Sequence, residues 1–266
     1  MKSYPFASAL VTGASSGIGE GIARELAGAG VATVVVARRQ DRLQAIADDF
    51  ADVVGGVEVL VADLLTGEGQ RAVAERIGSA NKPVELVVNN AGFGTNGVFA
   101  ELQVDRLVDE VELNVAALTR LSHAALAAMT PRGRGWLLNV SSVASLQPAP
   151  KLAVYAATKA YVTSLSESLH EEARGTGVHV TALCPGLTRT EFMAVSNPDQ
   201  YGDHYADRYP GFAWTSLDLV VRTALADVIA NRALSVPGVQ YKALTSVSNM
   251  TPRWLRRRLS GLVQRG

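Results

Sequence analysis

Tyr155 and Lys159 stand four residues apart in Tyr155-Ala156-Ala157-Thr158-Lys159, in a stretch that reads as a helix. That spacing puts a phenol and an ammonium on one face. A free phenol ionises near pH 10, poorly matched to proton transfer at neutral pH. An adjacent ammonium favours the phenolate and lowers that value. Tyrosine then becomes a general acid or base near pH 7. Ser142 lies 13 residues before Tyr155, at the end of an apolar run, where its hydroxyl could hold a substrate carbonyl. Asn114 lies mid-helix among apolar residues, an unfavourable place for asparagine unless it finds a partner. Alone, Y-x-x-x-K is common by chance and mostly structural, so its weight depends on what accompanies it.

A second group of residues suits a nucleotide. Thr12-Gly13-Ala14-Ser15-Ser16-Gly17-Ile18-Gly19 follows an apolar run and opens a helical pattern. Gly13, Gly17 and Gly19 allow a sharp turn and close approach to a pyrophosphate. Ser15, Ser16 and Ile18 complete the turn, and the helix start presents free N–H groups to the anion. A purely structural turn is the plain alternative, weakened by the strand before and the helix after. Enzymes that use NAD place an acid at the end of the second strand, on the ribose hydroxyls. Here Arg38 and Arg39 stand there instead. A guanidinium forks onto phosphate oxygens, so this position favours NADP. Two solvated arginines are the competing reading. Asp63, with Leu64 after it, ends the third strand within reach of an adenine ring. Asn89-Asn90-Ala91-Gly92 ends the fourth.

These groups need a scaffold. Short β-branched runs alternate with alanine-rich helical segments: Ala9 to Val11, Ala32 to Ala37, Val57 to Ala62, Val84 to Val88, Gly135 to Val140 and Val178 to Leu183 as strands. Helices are expected at Gly17 to Ala29, Asp41 to Phe50, Gly69 to Ile77, Val104 to Met129, Leu152 to Arg174 and Leu217 to Ala230. Ala32 to Ala37 is a continuous apolar run, as a strand buried on both faces requires. Such alternation builds βαβ units and a parallel sheet. The reading is α/β, a Rossmann-like doubly wound parallel sheet of about seven strands with helices on both faces. No composition shift divides the chain, so residues 1–266 read as one domain. Ligands of such sheets bind beyond the carboxyl ends of the strands, where all these motifs fall.

Composition closes other routes. Twenty-five Lys and Arg balance 25 Asp and Glu, hydrophobic residues make up 48% and charged residues 19%. A disordered chain would need the opposite balance, and nucleic-acid binding usually needs a basic face. Cys184 is the only cysteine, which rules out an intrachain disulfide and fits a reducing, cytoplasmic setting. His123, His170, His179 and His204 have no metal-ligand spacing, so no metal is expected. Met1 to Phe6 is too short for a signal peptide. No run reaches the roughly 18 apolar residues of a transmembrane helix.

Together the motifs resemble the short-chain dehydrogenase/reductase superfamily, over roughly Ala7 to Ala230. They are TGASSGIG at Thr12 to Gly19, NNAG at Asn89 to Gly92, Asn114, Ser142, YxxxK at Tyr155 to Lys159, and Pro185-Gly186 followed by Thr188. The resemblance implies a nicotinamide cofactor of the NADP-preferring type. It implies that Tyr155 transfers the proton and that Lys159 lowers its pKa and binds the nicotinamide ribose. Ser142 would orient the substrate oxygen, Asn114 support a proton relay through water, and Thr188 bond the carboxamide beside Pro185 and Gly186. Asn90, Ala91 and Gly92 would line the cofactor cleft. The partner would be a small carbonyl or alcohol: an apolar ketone, an aldehyde or a 3-oxoacyl group. The chain departs from the family's usual end, since Leu234 to Gly238 reads LSVPG and a further segment follows. A homodimer through the helices around Asn114 and Tyr155 is expected, with a tetramer in doubt.

Two competing functions fit the motifs less well. A Rossmann protein that senses NADP without turnover tends to lose the tyrosine or lysine, and both are here. A sugar-nucleotide epimerase has another glycine spacing and needs more chain after Cys184. Two segments stand outside the alternation. Residues 187–215, rich in aromatic and turn residues, read as a substrate lid, with a surface insertion as alternative. Residues 239–266 read as an extension with a basic amphipathic helix around Trp254, Arg256, Arg257 and Arg258. Docking on protein is favoured there over peripheral membrane contact or a loose tail.

Overall fold

The computed structural model describes residues 3–192 and 210–243. The middle of the expected lid and the basic helix around Trp254 lie outside them. Seven parallel strands form one sheet in the order β3-β2-β1-β4-β5-β6-β7. They are β1 (Ser8–Thr12), β2 (Ala32–Ala37), β3 (Val57–Val61), β4 (Leu86–Asn89), β5 (Gly135–Val140), β6 (Val178–Leu183) and β7 (Leu234–Ser235). The strand order reverses between β1 and β4. A crevice opens beyond the carboxyl ends at such a switch point.

Side chains of a strand alternate between faces, and that splits the core in two. Ala9 and Val11 of β1 pack with α1 (Gly17–Gly28), α2 (Gln40–Asp49) and α7 (Leu217–Ile229). Leu10 points the other way, into a cluster with α3 (Gly67–Gly78) and α5 (Leu118–Met129). α4 (Val104–Val111) and α6 (Ala153–Glu172) complete the α-helices of the described residues. Two helix starts carry side-chain caps from a hydroxyl. Thr66 accepts from Gly69 N at 3.0 Å, and Ser216 from Leu219 N at 3.2 Å, each an orphan N–H satisfied.

One expected element is different. The single helix expected from Val104 to Met129 is interrupted by a π-helical turn over Glu112–Ala117. A π turn widens the hydrogen-bond ladder by one residue and re-aims the side chains within it. Asn114 lies inside that turn. Among the described residues no helix is long and apolar enough to cross a membrane, and no cluster of His, Cys, Asp or Glu could hold a metal ion.

Candidate active site

The glycine turn joins β1 to α1. Gly13 and Gly17 adopt φ of +64° and +59°, which favours glycine. Gly19 is needed for space: a Cβ there would lie 2.4 Å from Gly13 O and 2.3 Å from Asn90 Nδ2. Asn90 fastens β4 to this turn, donating from Nδ2 to Thr12 O at 2.9 Å and to Gly13 O at 3.3 Å. Thr12 Oγ1 accepts from Asn90 N and Ala91 N, both at 3.0 Å. Ser16 precedes α1 but its side chain makes no cap bond. The first N–H groups of α1 therefore face the crevice without a side-chain partner, as a phosphate cradle requires. These residues fit a dinucleotide.

Arg39 turns toward that cradle. Its Nε donates to Ser15 Oγ at 3.2 Å and its other nitrogens to Ser15 O at 3.0 Å and Glu191 Oε2 at 3.1 Å. Arg38 is exposed and makes no ion pair among the described residues. The two arginines are thus unequal: one is held at the turn, the other faces solvent. Asp63 ends up beyond β3, its Oδ1 accepting from Leu65 N at 3.0 Å, and Leu64 is buried behind it.

The chemical residues gather at the carboxyl ends of β4, β5 and β6. Asn114 is fully buried. Its Nδ2 donates to Phe93 O at 2.8 Å and Thr158 Oγ1 at 3.1 Å, and its Oδ1 accepts from Phe93 N at 3.2 Å. Those are the partners that mid-helix asparagine lacked in sequence. Lys159 Nζ donates to Val140 O at 2.8 Å and lies 5.8 Å from the centroid of the Tyr155 ring. Ser142 starts a short 3₁₀ turn over Val143–Leu146 and accepts from Ala144 N at 3.1 Å. Pro185 and Gly186 follow β6. The Gly186 backbone lies against the Tyr241 ring, where a Cβ would sit at 2.0 Å from it. Tyr241 Oη accepts from Leu187 N at 2.9 Å and donates to Ala213 O at 2.7 Å. Thr188 bridges to Thr215, so both described ends of the 187–215 segment are tied together.

Burial opposes charge on both members of the pair. It pushes the Tyr155 phenol up to about 12, with the Ser142 hydroxyl beside it pulling the other way. It pushes Lys159 down to about 8. Desolvation is the largest influence on each group in the free protein, and the i,i+4 spacing does not show it.

Four residues escaped the motif reading. Thr190 packs its side chain over Gly17, at 3.2 Å from a notional Cβ there. Glu191 pairs with Arg39 and, at 3.7 Å, with Arg42. Thr95 and Glu110 form a buried pair behind Gly94. The only sequence signal was position: Thr190 two residues after Thr188, and Glu110 one helical turn before Asn114. Phe192, within the expected lid segment, lies with its ring tilted against the Tyr155 ring, centroids 5.5 Å apart.

A profile described as short chain dehydrogenase matches residues 7–201. The chain is 34% identical over 237 residues to sulfoacetaldehyde reductase 2 of Chromohalobacter salexigens, covering 86% of this chain and 93% of that protein. It is 33% identical over 192 residues to a Homo sapiens protein named inactive hydroxysteroid dehydrogenase-like protein 1. That match covers 71% of this chain but 58% of the human protein's length. Among solved structures, a short-chain dehydrogenase from Sphingobium yanoikuyae in complex with NADPH is similar with TM-score 0.80 and 31% identity, over 92% of this chain and 94% of that one. With the fold, the glycine turn and the Tyr155–Lys159 helix in one crevice, these matches place the chain in the short-chain dehydrogenase family.

Proposed function

We propose that this chain is an NADP(H)-dependent oxidoreductase acting on a carbonyl or secondary alcohol, with Tyr155 as general acid and base. The observation that carries this reading is that Tyr155, Ser142, Lys159 and Asn114 meet at the carboxyl ends of β4 to β6, beside the glycine turn. The cofactor, when bound, supplies or accepts the hydride. The chain does the rest. Ser142 orients the substrate oxygen. Tyr155 gives that oxygen a proton in reduction and takes it back in oxidation. Lys159, held to the Val140 carbonyl, binds the nicotinamide ribose and steadies the charge on Tyr155. Asn114 supports the proton relay from its π turn. Pro185, Gly186 and Thr188 flank the nicotinamide. Retention of both Tyr155 and Lys159 supports turnover over mere NADP sensing.

Apolar residues support an apolar ketone, an aldehyde or a 3-oxoacyl group: Phe93, Leu146, Leu152 and Phe192 are half-buried, and Phe192 lies against the Tyr155 ring. One similar protein bears the name of an aldehyde reductase. The deciding experiment follows NADPH oxidation against a panel of ketones and aldehydes, with NADH in parallel. Turnover of one class sustains the reading, and none with any member overturns it.

Glu191 bears on the cofactor choice. Its carboxylate sits on Arg39, one of the two arginines expected at a ribose 2′-phosphate, and on Arg42. Exposed pairs of this kind are weak, so Glu191→Gln is expected to tighten NADPH binding only about two- to fivefold and to leave NADH unchanged. Calorimetry with both cofactors checks it; equal changes for the two would count against competition at the phosphate.

A homodimer belongs to the same proposal. Val104 and Val108 are 67% and 59% exposed, and with Val111 they line one face of α4 at i, i+4 and i+7. Such a stripe marks a contact surface. The Val104→Asp/Val108→Asp double variant should halve the mass measured by light scattering without lowering secondary structure. An unchanged mass would remove α4 from the interface.

A further inference from the structure

Glu110, on α4, is fully buried. One oxygen of its carboxyl accepts from Thr95 N at 3.0 Å and from the Thr95 hydroxyl. The other, Oε1, is buried with no hydrogen-bond partner among the described residues. A buried carboxyl left half-satisfied is costly, and no motif of the family resemblance accounts for it.

Its position does account for it. Asn114, one turn further along, holds Phe93 by both backbone groups. Glu110 holds Thr95. Between them Gly94 lies against the Tyr155 ring, so close that a Cβ would stand 2.9 Å from Cδ2. The two side chains therefore clamp both ends of the strip on which that ring rests. The charged and titratable groups facing this region are Lys159 and Tyr155 from α6 and Arg106 from α4 itself, with Cys184 facing Lys159 from the end of β6.

We propose that Glu110 is a positioning residue: through Thr95 it seats residues 93–95 against Tyr155.

The role rests on the oxidoreductase reading, which fails separately if the native chain turns over no substrate. Glu110→Leu should cut kcat by about threefold or more with NADPH affinity unchanged, and Glu110→Gln, which still accepts from Thr95, should restore most of it. Equal turnover of the two variants overturns the seating role. If Glu110→Leu does not fold, Thr95→Val, which removes the hydroxyl partner alone, must lower kcat likewise, and unchanged turnover overturns the role.

Discussion

Tyr155→Phe is expected to lower kcat by about 10² or more while leaving NADPH affinity within about twofold. The substitution keeps the ring, so the contacts with Gly94 and Phe192 survive and only the proton donor is lost. The hydroxyl stands beside Ser142, and burial holds the phenol well above its ordinary value. A phenol so placed keeps its proton through the neutral range and can give it to a substrate oxygen. Single-turnover kinetics with NADPH, together with cofactor fluorescence titration, separate the chemical step from binding. Near-native turnover in the Phe variant would force the proton to another donor and end the proposed mechanism. Lys159→Met should damage both quantities, because lysine is asked to serve ribose and phenol together. It keeps the packing of a buried stem, which alanine would not.

The native enzyme should use NADPH with kcat/KM at least about tenfold above that for NADH, roughly 1.4 kcal/mol. Arg39 is held at the phosphate turn by Ser15, so its guanidinium is pre-oriented and loses little freedom on binding. Arg38 is exposed beside it. Arg38→Asp restores a carboxylate where NAD enzymes hold the ribose hydroxyls, and it repels a 2′-phosphate. That variant should lose or reverse the preference. Steady-state kinetics with both cofactors, for the native chain and the variant, provide the test. Equal use of the two cofactors by the native chain would sink the argument from Arg38 and Arg39.

Much of this protein was legible in its sequence for a local reason. The alternation of β-branched runs with alanine-rich segments reports burial on both sheet faces and on one helix face, and it is written in consecutive residues. The glycine turn is legible because Gly13 and Gly17 need positive φ and Gly19 has no room for a Cβ. Tyr155 and Lys159 are legible because helical geometry alone puts i and i+4 together. The parallel sheet with helices on both faces follows from these features.

Other features depended on residues far apart in the chain. The π turn at Glu112–Ala117 looks like ordinary helix in sequence; Asn114 is aimed by its contacts with Phe93 and Thr158, 21 and 44 residues away. Glu191 meets Arg39 across 152 residues, and Tyr241 meets Leu187 across 54. Spacing alone does not show the burial that pushes Tyr155 up in the free protein. The attraction between phenol and ammonium is local and visible, whereas desolvation comes from every element packed around the pair. Consecutive residues declare which chemical groups this protein carries and which sheet end they share. Which arginine turns inward, what clamps the strip under Tyr155, and which charge states burial favours are set instead by long-range packing and exclusion of water.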